Sequence, residues 1–286
     1  MYTGRMDEFD MKKYIYLIQS RQYYKYFEEL VSDTSDAIVL FWKDFDETEL
    51  PNRHDWERID CHKSTWNSGR NVLLKNAICR DVDYEYYIFM DDDIGFNIHT
   101  PQTTTTSAFR EFEYFLNTYN PAVGCVRGNW HNHHRRELDV CSPHCYDACF
   151  NAIHKNLLKI FMPYVEKYDN YSWWWSQEIV CAVSSVIAPN QCMQYNLMEY
   201  ANHISGPYPR GGDISDVNFA NYMIEESNLT KKIIPYPENR NVVYPTQKKN
   251  IQEYCLDDLG KMFDLSHWYW LDKKTWWEDV TGEWLL

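Results

Sequence analysis

Short apolar runs alternate with amphipathic segments along the first third of the chain. Residues 14–20, 37–42 and 84–90 are rich in aromatic and β-branched side chains without a helical period, which predicts three buried strands. Between them, residues 21–32 and 71–79 repeat apolar side chains at helical spacing, which predicts two helices. Strands that alternate with helices in this way indicate an α/β fold whose parallel sheet is covered on both faces.

The rest of the chain continues this mixed pattern. Helices are predicted over residues 108–119, 155–167, 178–186 and 214–227, and a strand over residues 121–126. Right-handed crossovers would bring the carboxyl ends of the first three strands to one edge of the sheet, where ligands bind in open α/β folds. No internal repeat and no linker composition interrupts the chain, so we expect a single compact domain.

Composition and charge narrow the classes of partner. The 286 residues include 28 Lys and Arg against 42 Asp and Glu, a net charge of −14, which argues against binding to nucleic acid or anionic lipid. The polar residues 1–13 lack the apolar run of a signal peptide, and no apolar stretch is long enough to span a bilayer. Nine scattered cysteines form no disulfide framework. We therefore expect a cytoplasmic protein with reduced thiols and no membrane span.

Three consecutive carboxylates directly follow the third predicted strand. If the chain stays extended through Asp91, Asp92 and Asp93, the first and third side chains point to the same side of the sheet. Two carboxylates at close range repel each other unless a cation lies between them, and oxygen ligands of this kind suit Mg²⁺ or Mn²⁺. The plain alternative is an acidic turn, because Asp is common in turns.

With this triplet, the sequence resembles the GT-A type glycosyltransferases, which use nucleotide-sugar donors. The resemblance covers about residues 14–215. It rests on the apolar strand with its triplet, on residues 66–71, where a loop is predicted over residues 67–70 before the second helix, and on residues 148–154 leading to Glu178. The triplet is also similar to that of the exostosin-type branch, although Ser176-Gln177-Glu178-Ile179 stands where that branch has Asn-Cys-Glu-Asp.

The resemblance implies a GT-A (Rossmann-like) mixed sheet flanked by helices. Residues 14–95 would bind the nucleotide sugar, residues 96–250 would form the acceptor-binding and catalytic half, and residues 251–286 would be a Trp-rich C-terminal extension. This extension has three interpretations: a platform for the acceptor, a homodimer contact, and a segment that packs back on the core.

The resemblance also assigns roles to individual residues. Asp93 would ligate Mn²⁺ or Mg²⁺ directly, while Asp91 and Asp92 would contact the nucleoside or reach the metal through water. His203 would be a further metal ligand, and Arg210 would contact the diphosphate from a loop rich in Gly and Pro. The residues expected beside the base or the phosphates are Arg21, Arg70 and Asn71.

One acidic residue in the second half is the candidate for the catalytic carboxylate. Glu178 follows three tryptophans at 173–175, whose rings offer a stacking wall for a sugar, and it begins a predicted apolar helix. Glycosyl transfer needs a group that activates the acceptor hydroxyl, and a carboxylate can perform this task. Asp169 and Asp213 are the alternative candidates, and an ordinary acid in a first helical turn is the plain interpretation of Glu178.

These features favour a metal-dependent glycosyltransferase that moves a sugar from a nucleotide donor, expected to be a UDP-sugar, to a hydroxyl of a glycan acceptor. A nucleotidyltransferase would share the sheet and the acidic site, but residues 19–23 are not the Gly-rich basic loop that it needs after the first strand. A carbohydrate-binding protein that uses its Trp clusters is the alternative without catalysis.

A zinc site is a separate alternative for a short span rich in His and Cys. Residues 130–149 contain four histidines and three cysteines, and such groups can bind Zn²⁺ tetrahedrally. The cysteines Cys141, Cys145 and Cys149 are spaced at every fourth residue, which suits one buried face of a helix equally well.

Overall fold

The structure of the chain is a computed structural model that describes residues 12–51, 53–104, 106–128, 138–143, 146–188, 191–202, 259–261 and 263–284. The strands are β1 (Tyr14–Ser20), β2 (Ser35–Phe41), β3 (Glu57–Asp60), β4 (Tyr86–Asp91), β5 (Ile94–Ile98), β6 (Val123–Gly128), β7 (Val140–Cys141), β8 (Phe150–His154) and β9 (Cys192–Asn202). The chain also forms the α-helices α1 (Trp66–Ile78), α2 (Ala108–Tyr119), α3 (Lys155–Phe161), α4 (Trp173–Ile187) and α5 (Trp268–Thr281).

The described strands form one mixed sheet in the order β3-β2-β1-β4-β8-β6-β9-β5, with β7 paired to β9. The strands from β3 to β4 are parallel, β8 runs antiparallel to β4 and β6, and β6 is again parallel to β9. Helices pack on both faces of this sheet. The predicted α/β class, with a mixed sheet flanked by helices, is therefore confirmed.

Side chains of the central strands alternate between two apolar cores. Leu17 of β1 and Phe89 of β4 face the core that is covered by α1, α3, α4 and α5, whereas Tyr16 and Ile88 face the core that is covered by α2. Both faces of β1 are buried, which explains why its sequence is apolar almost throughout.

The carboxyl ends of β1, β2 and β4 meet at one edge of the sheet, as the sequence predicts. Ser20 is in register with Phe41 across β1 and β2, and Gln19 is in register with Asp91 across β1 and β4. The acidic triplet therefore begins at the last residue of a central strand, beside the end of β1.

The helix predicted over residues 21–32 is wrong. Lys25–Glu29 form a 3-10 helix and the rest of the segment is irregular. The phenol of Tyr26 donates to the backbone oxygen of Asp92 at 2.9 Å, and its ring lies against that of Phe109 with centroids 6.1 Å apart. These long-range aromatic and polar contacts outweigh the helical spacing of the apolar residues.

The second predicted helix begins earlier than expected. Residues 67–70, predicted as a loop, form the first turn of α1, because Thr65 and Ser68 build a capping box: the Thr65 hydroxyl accepts from the Ser68 amide at 3.1 Å, and the Ser68 hydroxyl accepts from the Thr65 amide at 2.8 Å. This cap moves the helix start to Trp66 and places Arg70 inside the helix.

Later boundaries also shift, and several strands were not predicted. Helix α3 ends at Phe161 because Pro163 cannot continue it, and α4 begins at Trp173, so the three tryptophans lie in its first turn. The strands without a counterpart in the sequence prediction are β3, β5, β7, β8 and β9. The helix predicted over residues 214–227 lies outside the described residues.

Helix α5 packs back on the core, which confirms one of the three interpretations of the C-terminal segment. Trp270 and Trp277 are buried, and the ammonium group of Lys273 donates to the carbonyls of Phe161 and Pro163 at 3.0 and 2.8 Å. The indole of Trp277 donates to the carbonyl of Met162 at 3.0 Å. Among the described helices, none combines the length and the apolar character that crossing a membrane requires.

Candidate functional site

Asp91 ends β4 and is held through one carboxylate oxygen. Its Oδ1 accepts from Nη2 of Arg70 at 2.6 Å and from Nε1 of Trp66 at 2.9 Å, and the side chain is 22% exposed. Burial raises the pKa of Asp91 to about 6, against the opposing effect of Arg70, and the neighbouring carboxylate of Asp93 contributes to the rise. Both described donors meet the same oxygen, so the carboxylate is oriented while its Oδ2 is left for a further ligand.

Arg70 reaches Asp91 from the protein interior. Its side chain is 1% exposed, and its guanidinium carbon lies 4.1 Å from the centroid of the Trp66 ring and 5.7 Å from that of Phe89. Within the described residues, its Nε and Nη1 find no hydrogen-bond partner. The resemblance assigns Arg70 to the nucleotide, but the structure gives it a different task, because this buried cation neutralises and orients Asp91.

Asp92 ties the end of β4 to the end of β1. Its Oδ2 accepts from the Ser20 hydroxyl at 3.1 Å, from the Arg21 backbone amide at 2.9 Å and from Nε of Arg21 at 3.1 Å, while Oδ1 accepts from Nη2 of Arg21 at 3.3 Å. The residue is buried, and both oxygens are engaged. Asp92 therefore holds the end of β4 against the end of β1, and its contact with the nucleoside stays a prediction.

Arg21 links Asp92 to Asp93. Its Nη2 lies 3.4 Å from Oδ2 of Asp93, whose side chain is 10% exposed, and its own side chain is 24% exposed. The triplet and its two arginines carry three negative and two positive charges, which leaves a net charge of −1 at the strand end. Arg21 is thus the cation of this group that solvent, and an anionic ligand, can reach.

The side-chain amide of Asn71 forms its hydrogen bonds with the chain that follows Pro163. Its Nδ2 donates to the carbonyl of Tyr164 and to Oε1 of Glu166, both at 2.8 Å, and its Oδ1 accepts from the Tyr164 amide at 2.8 Å. The buried amide of Asn71 therefore joins α1 to the segment before α4. The nucleotide contact that the resemblance implies for Asn71 would have to replace one of these hydrogen bonds.

Asp169, an alternative catalytic candidate, clamps α1 to the start of α4. Its carboxylate accepts from the Thr65 hydroxyl and from Nδ2 of Asn67, and its backbone oxygen accepts from Nε1 of Trp173 at 3.0 Å. Burial raises the pKa of Asp169, although the hydrogen bonds from Thr65 and Asn67 act in the opposite direction. With its oxygens held inside the protein, Asp169 supports the site rather than contacting a ligand.

Glu178 lies in the second turn of α4 and is partly exposed. The neighbouring residue Gln177 donates through Nε2 to the carbonyl of Tyr146, and the thiol of Cys181 lies 3.7 Å from the same oxygen. This face of α4 thus packs on the segment that leads into β8. The catalytic role of Glu178 stays a prediction.

The segment 146–149 brings a carboxylate that sequence reasoning missed. Asp147 is partly exposed, and its Oδ1 accepts from the Cys149 amide at 2.9 Å, while the Asp91 amide donates to the Cys149 carbonyl at 2.8 Å. The signal in the sequence was a turn-forming Asp directly before a run of apolar residues. Because β8 itself was not predicted, nothing in the sequence related this Asp to β4.

Some of the remaining predicted site residues lie outside the described residues, and others lie within them but not where the sequence predicts. His203, Arg210 and Asp213 lie outside the described residues, as do four histidines and Cys145 of the zinc alternative. Cys141 lies in β7 and Cys149 directly precedes β8, so the expected helical face of cysteines is wrong. In the part of the chain that the structure describes, no three His, Cys, Asp or Glu residues are grouped to hold a metal ion by themselves.

A divalent metal fits the end of β4 if substrate or solvent completes its coordination. Mg²⁺ and Mn²⁺ take oxygen ligands, and Mg²⁺ commonly binds through one or two carboxylates together with phosphate oxygens and waters. Asp91 offers Oδ2 from an oriented carboxylate, and Asp93 adds a second carboxylate close enough to affect the pKa of Asp91. These two residues are the ones that would hold the ion.

No protein-family model matches the chain, and the search of curated proteins finds no match. Among solved structures, the chain is similar to A197 from STIV, with 10% identity and a TM-score of 0.36 over 71% of this chain and 96% of that one. It is also similar to GalNAc-T7 in a structure with UDP, GalNAc and Mn²⁺, with 8% identity and a TM-score of 0.45 over 74% of this chain and 48% of that one.

A third similar structure is the mannosyltransferase PcManGT from Pyrobaculum calidifontis in complex with GDP-Man and Mn²⁺, with 8% identity and a TM-score of 0.41 over 76% of this chain and 61% of that one. The chain thus spans about half of the GalNAc-T7 chain and about three fifths of the mannosyltransferase chain. With identities of 10% or less and TM-scores below 0.5, these likenesses do not establish a family for the chain.

Proposed function

We propose that this chain is a metal-dependent glycosyltransferase that moves a sugar from a nucleoside diphosphate sugar, a UDP-sugar in the first instance, to a hydroxyl of a glycan acceptor. The observation that carries the proposal is the Asp91 carboxylate, which is fixed through Oδ1 by Arg70 and Trp66 at a strand end and has Asp93 beside it. Strand ends at this edge of an open α/β sheet are where ligands bind.

The charges at this edge suit a diphosphate together with a divalent ion. A bound Mn²⁺ or Mg²⁺ would neutralise the charge that develops on the leaving diphosphate. Asp91 and Asp93 would hold the ion, and Arg21, the partly exposed guanidinium between Asp92 and Asp93, would offer its remaining donors to a phosphate oxygen. Asp92, Asp169 and Asn71 would keep the surrounding elements in place.

Glu178, on the helix α4 whose first turn carries the tryptophans, is one candidate for the carboxylate that activates the acceptor hydroxyl. The Asp169 clamp fixes the start of α4 beside the start of α1, which carries Trp66 and Arg70. Replacing Glu178 by Gln should lower transfer about 100-fold if its carboxylate acts as an acid or base. A near-normal rate of transfer would show that Glu178 has a structural role and no catalytic one.

The direct test is release of the nucleotide from sugar donors. Purified protein would be incubated with UDP-glucose, UDP-galactose, UDP-GlcNAc, UDP-GalNAc, UDP-xylose and GDP-mannose, with Mn²⁺ and with EDTA, and the free nucleoside diphosphate would be measured. We expect release from at least one donor that stops when EDTA removes the metal. Binding of glycans without nucleotide or metal, and release from none of the donors, would favour a carbohydrate-binding protein instead.

A further inference from the structure

The segment 146–149 lies between the acidic strand end and the helix that carries Glu178. On one side, the Asp91 amide donates to the Cys149 carbonyl at 2.8 Å. On the other side, Gln177 and Cys181 of α4 both contact the carbonyl of Tyr146. Asp147 stands in the middle of this bridge, so its backbone position is fixed from both directions.

The strand pairing places Asp147 near the triplet. Met90 is paired with Phe150 across the antiparallel strands β4 and β8, and the bond from Asp91 to Cys149 extends that pairing by one residue. The chain turns at residues 148 and 149, so Asp147, two residues before Cys149, lies at most about 7 Å from it. Asp147 is therefore held close to the end of β4, where Asp91 begins the triplet.

The side chain of Asp147 is oriented but not saturated. Its Oδ1 accepts from the Cys149 amide at 2.9 Å, an Asx-type contact within the segment, and the residue is partly exposed. In the described part of the chain, this is the one hydrogen bond that the carboxylate receives. Its negative charge also contributes to the raised pKa of Cys149, which is due mainly to burial and to which Asp91 contributes as well.

We propose that Asp147 is a catalytic residue of the transferase, the base that contacts the acceptor hydroxyl. This inference rests on the proposed function. In the transfer step, the acceptor oxygen forms a bond to the anomeric carbon while the bond from that carbon to the diphosphate oxygen breaks. The electron pair of the broken bond goes to the leaving nucleoside diphosphate, and the hydroxyl proton passes to Oδ2 of Asp147 and from there to solvent.

The structure favours Asp147 over Glu178 for this task. Asp147 belongs to a segment that is hydrogen-bonded to the backbone of Asp91, whereas Glu178 is related to Asp91 through helix packing. The face of α4 that touches the segment is that of Gln177 and Cys181, and Glu178 is rotated about 100° from Gln177 around the helix.

The test compares Asp147→Asn with Asp139→Asn. Asn retains the oxygen that accepts from the Cys149 amide, so Asp147→Asn removes the base while it keeps the turn. Asp139 is an exposed acid shortly before the same segment and serves as the matched control. The readouts are kcat and KM for nucleotide release with Mn²⁺ from the donor that turns over fastest, with water as acceptor, and the affinity for UDP with Mn²⁺.

We expect Asp147→Asn to lower kcat at least 100-fold, with KM, UDP affinity and melting temperature within the range of Asp139→Asn. Formate should restore part of the rate of Asp147→Ala, because a small external carboxylate can take the place of the missing base. If Asp147→Asn turns over like Asp139→Asn, the role of Asp147 is overturned while the proposed function stands. If the unmodified chain neither binds UDP with Mn²⁺ nor releases nucleotide, the proposed function fails, and this inference fails with it.

Discussion

The guanidinium of Arg70 meets the carboxylate of Asp91 at 2.6 Å from inside the protein, beneath the ring of Trp66. Among the described residues, Asp91 is the one carboxylate that pairs with this almost fully buried arginine, and it supplies the counter-charge that a buried cation needs. The same ion pair therefore supports the fold and orients the residue that we propose as a metal ligand. Stability and the proposed metal binding would therefore be coupled at this position.

Replacing Asp91 by Asn should destabilise the protein as well as weaken metal binding. The substitution leaves the charge of Arg70 buried without a partner, which costs about 3 kcal/mol of unfolding free energy. Urea denaturation followed by circular dichroism would measure this loss. Asp91→Asn combined with Arg70→Met should recover part of it, because the double variant buries no unpaired charge; a double variant less stable than Asp91→Asn would contradict this explanation.

Lys273 should be necessary for the docking of α5. Its buried ammonium group caps the carbonyls of Phe161 and Pro163, so Lys273→Ala leaves two carbonyls unsatisfied and a cavity behind. We expect a loss of about 2 to 4 kcal/mol in the free energy of unfolding. The neighbouring Lys274, which is half exposed and pairs with Glu278 one turn later, provides the control, and Lys274→Ala should cost less than about 0.5 kcal/mol. Equal losses in the two variants would refute the capping role.

His154 should make the stability of the fold depend on pH in the acidic range. Burial lowers the pKa of His154 to about 4, with a smaller contribution from Lys155, whereas an unfolded histidine titrates near 6.5. The unfolded state therefore binds a proton that the folded state does not, and stability is fully present above pH 6.5 and is lost as the pH falls toward 4. Between pH 7 and pH 5 we expect a loss of about 2 kcal/mol from this group.

The variant His154→Asn isolates this effect. The ring of His154 accepts from the Asn156 amide at the start of α3, and Asn is a good residue at this capping position. Urea midpoints at pH 7 and pH 5 should therefore differ less in His154→Asn than in the unmodified protein. His267 caps α5 in the same way at a partly exposed position, and His267→Asn is the matched control for the substitution itself. An unchanged slope in His154→Asn would show that other groups cause it.

The parallel half of the sheet was predictable because its signals are local. The apolar runs that form β1, β2 and β4 are buried on both faces, and the triplet that follows Met90 marks where the chain leaves the core. The start of α1 was also readable in principle, since Thr65 and Ser68 form its capping box, although the glycine at 69 and the polar residues around it favoured a loop.

The roles of the polar residues at the site depend on contacts between distant parts of the chain. Asn71 looks like a helix-start residue in the sequence, and only its contacts with Tyr164 and Glu166 show that it is structural. Asp169 meets Thr65 and Asn67 about a hundred residues away. Asp147 lies near the acidic triplet because β8 pairs antiparallel with β4, and a sequence pattern cannot reveal which strands pair in this way.

The central claim is that Asp91 and Asp93 hold a divalent ion that binds a nucleoside diphosphate. Its most direct measurement is the calorimetric titration of UDP and GDP into the unmodified protein, Asp93→Asn and Asp83→Asn, each with Mn²⁺ and with EDTA. Asp83 is an exposed acid that precedes the same strand at the opposite edge of the sheet, where it pairs with Lys155. We predict metal-dependent binding of UDP that Asp83→Asn retains and Asp93→Asn weakens at least tenfold, about 1.4 kcal/mol. Binding that is independent of Mn²⁺, or equal in the two variants, would contradict the claim.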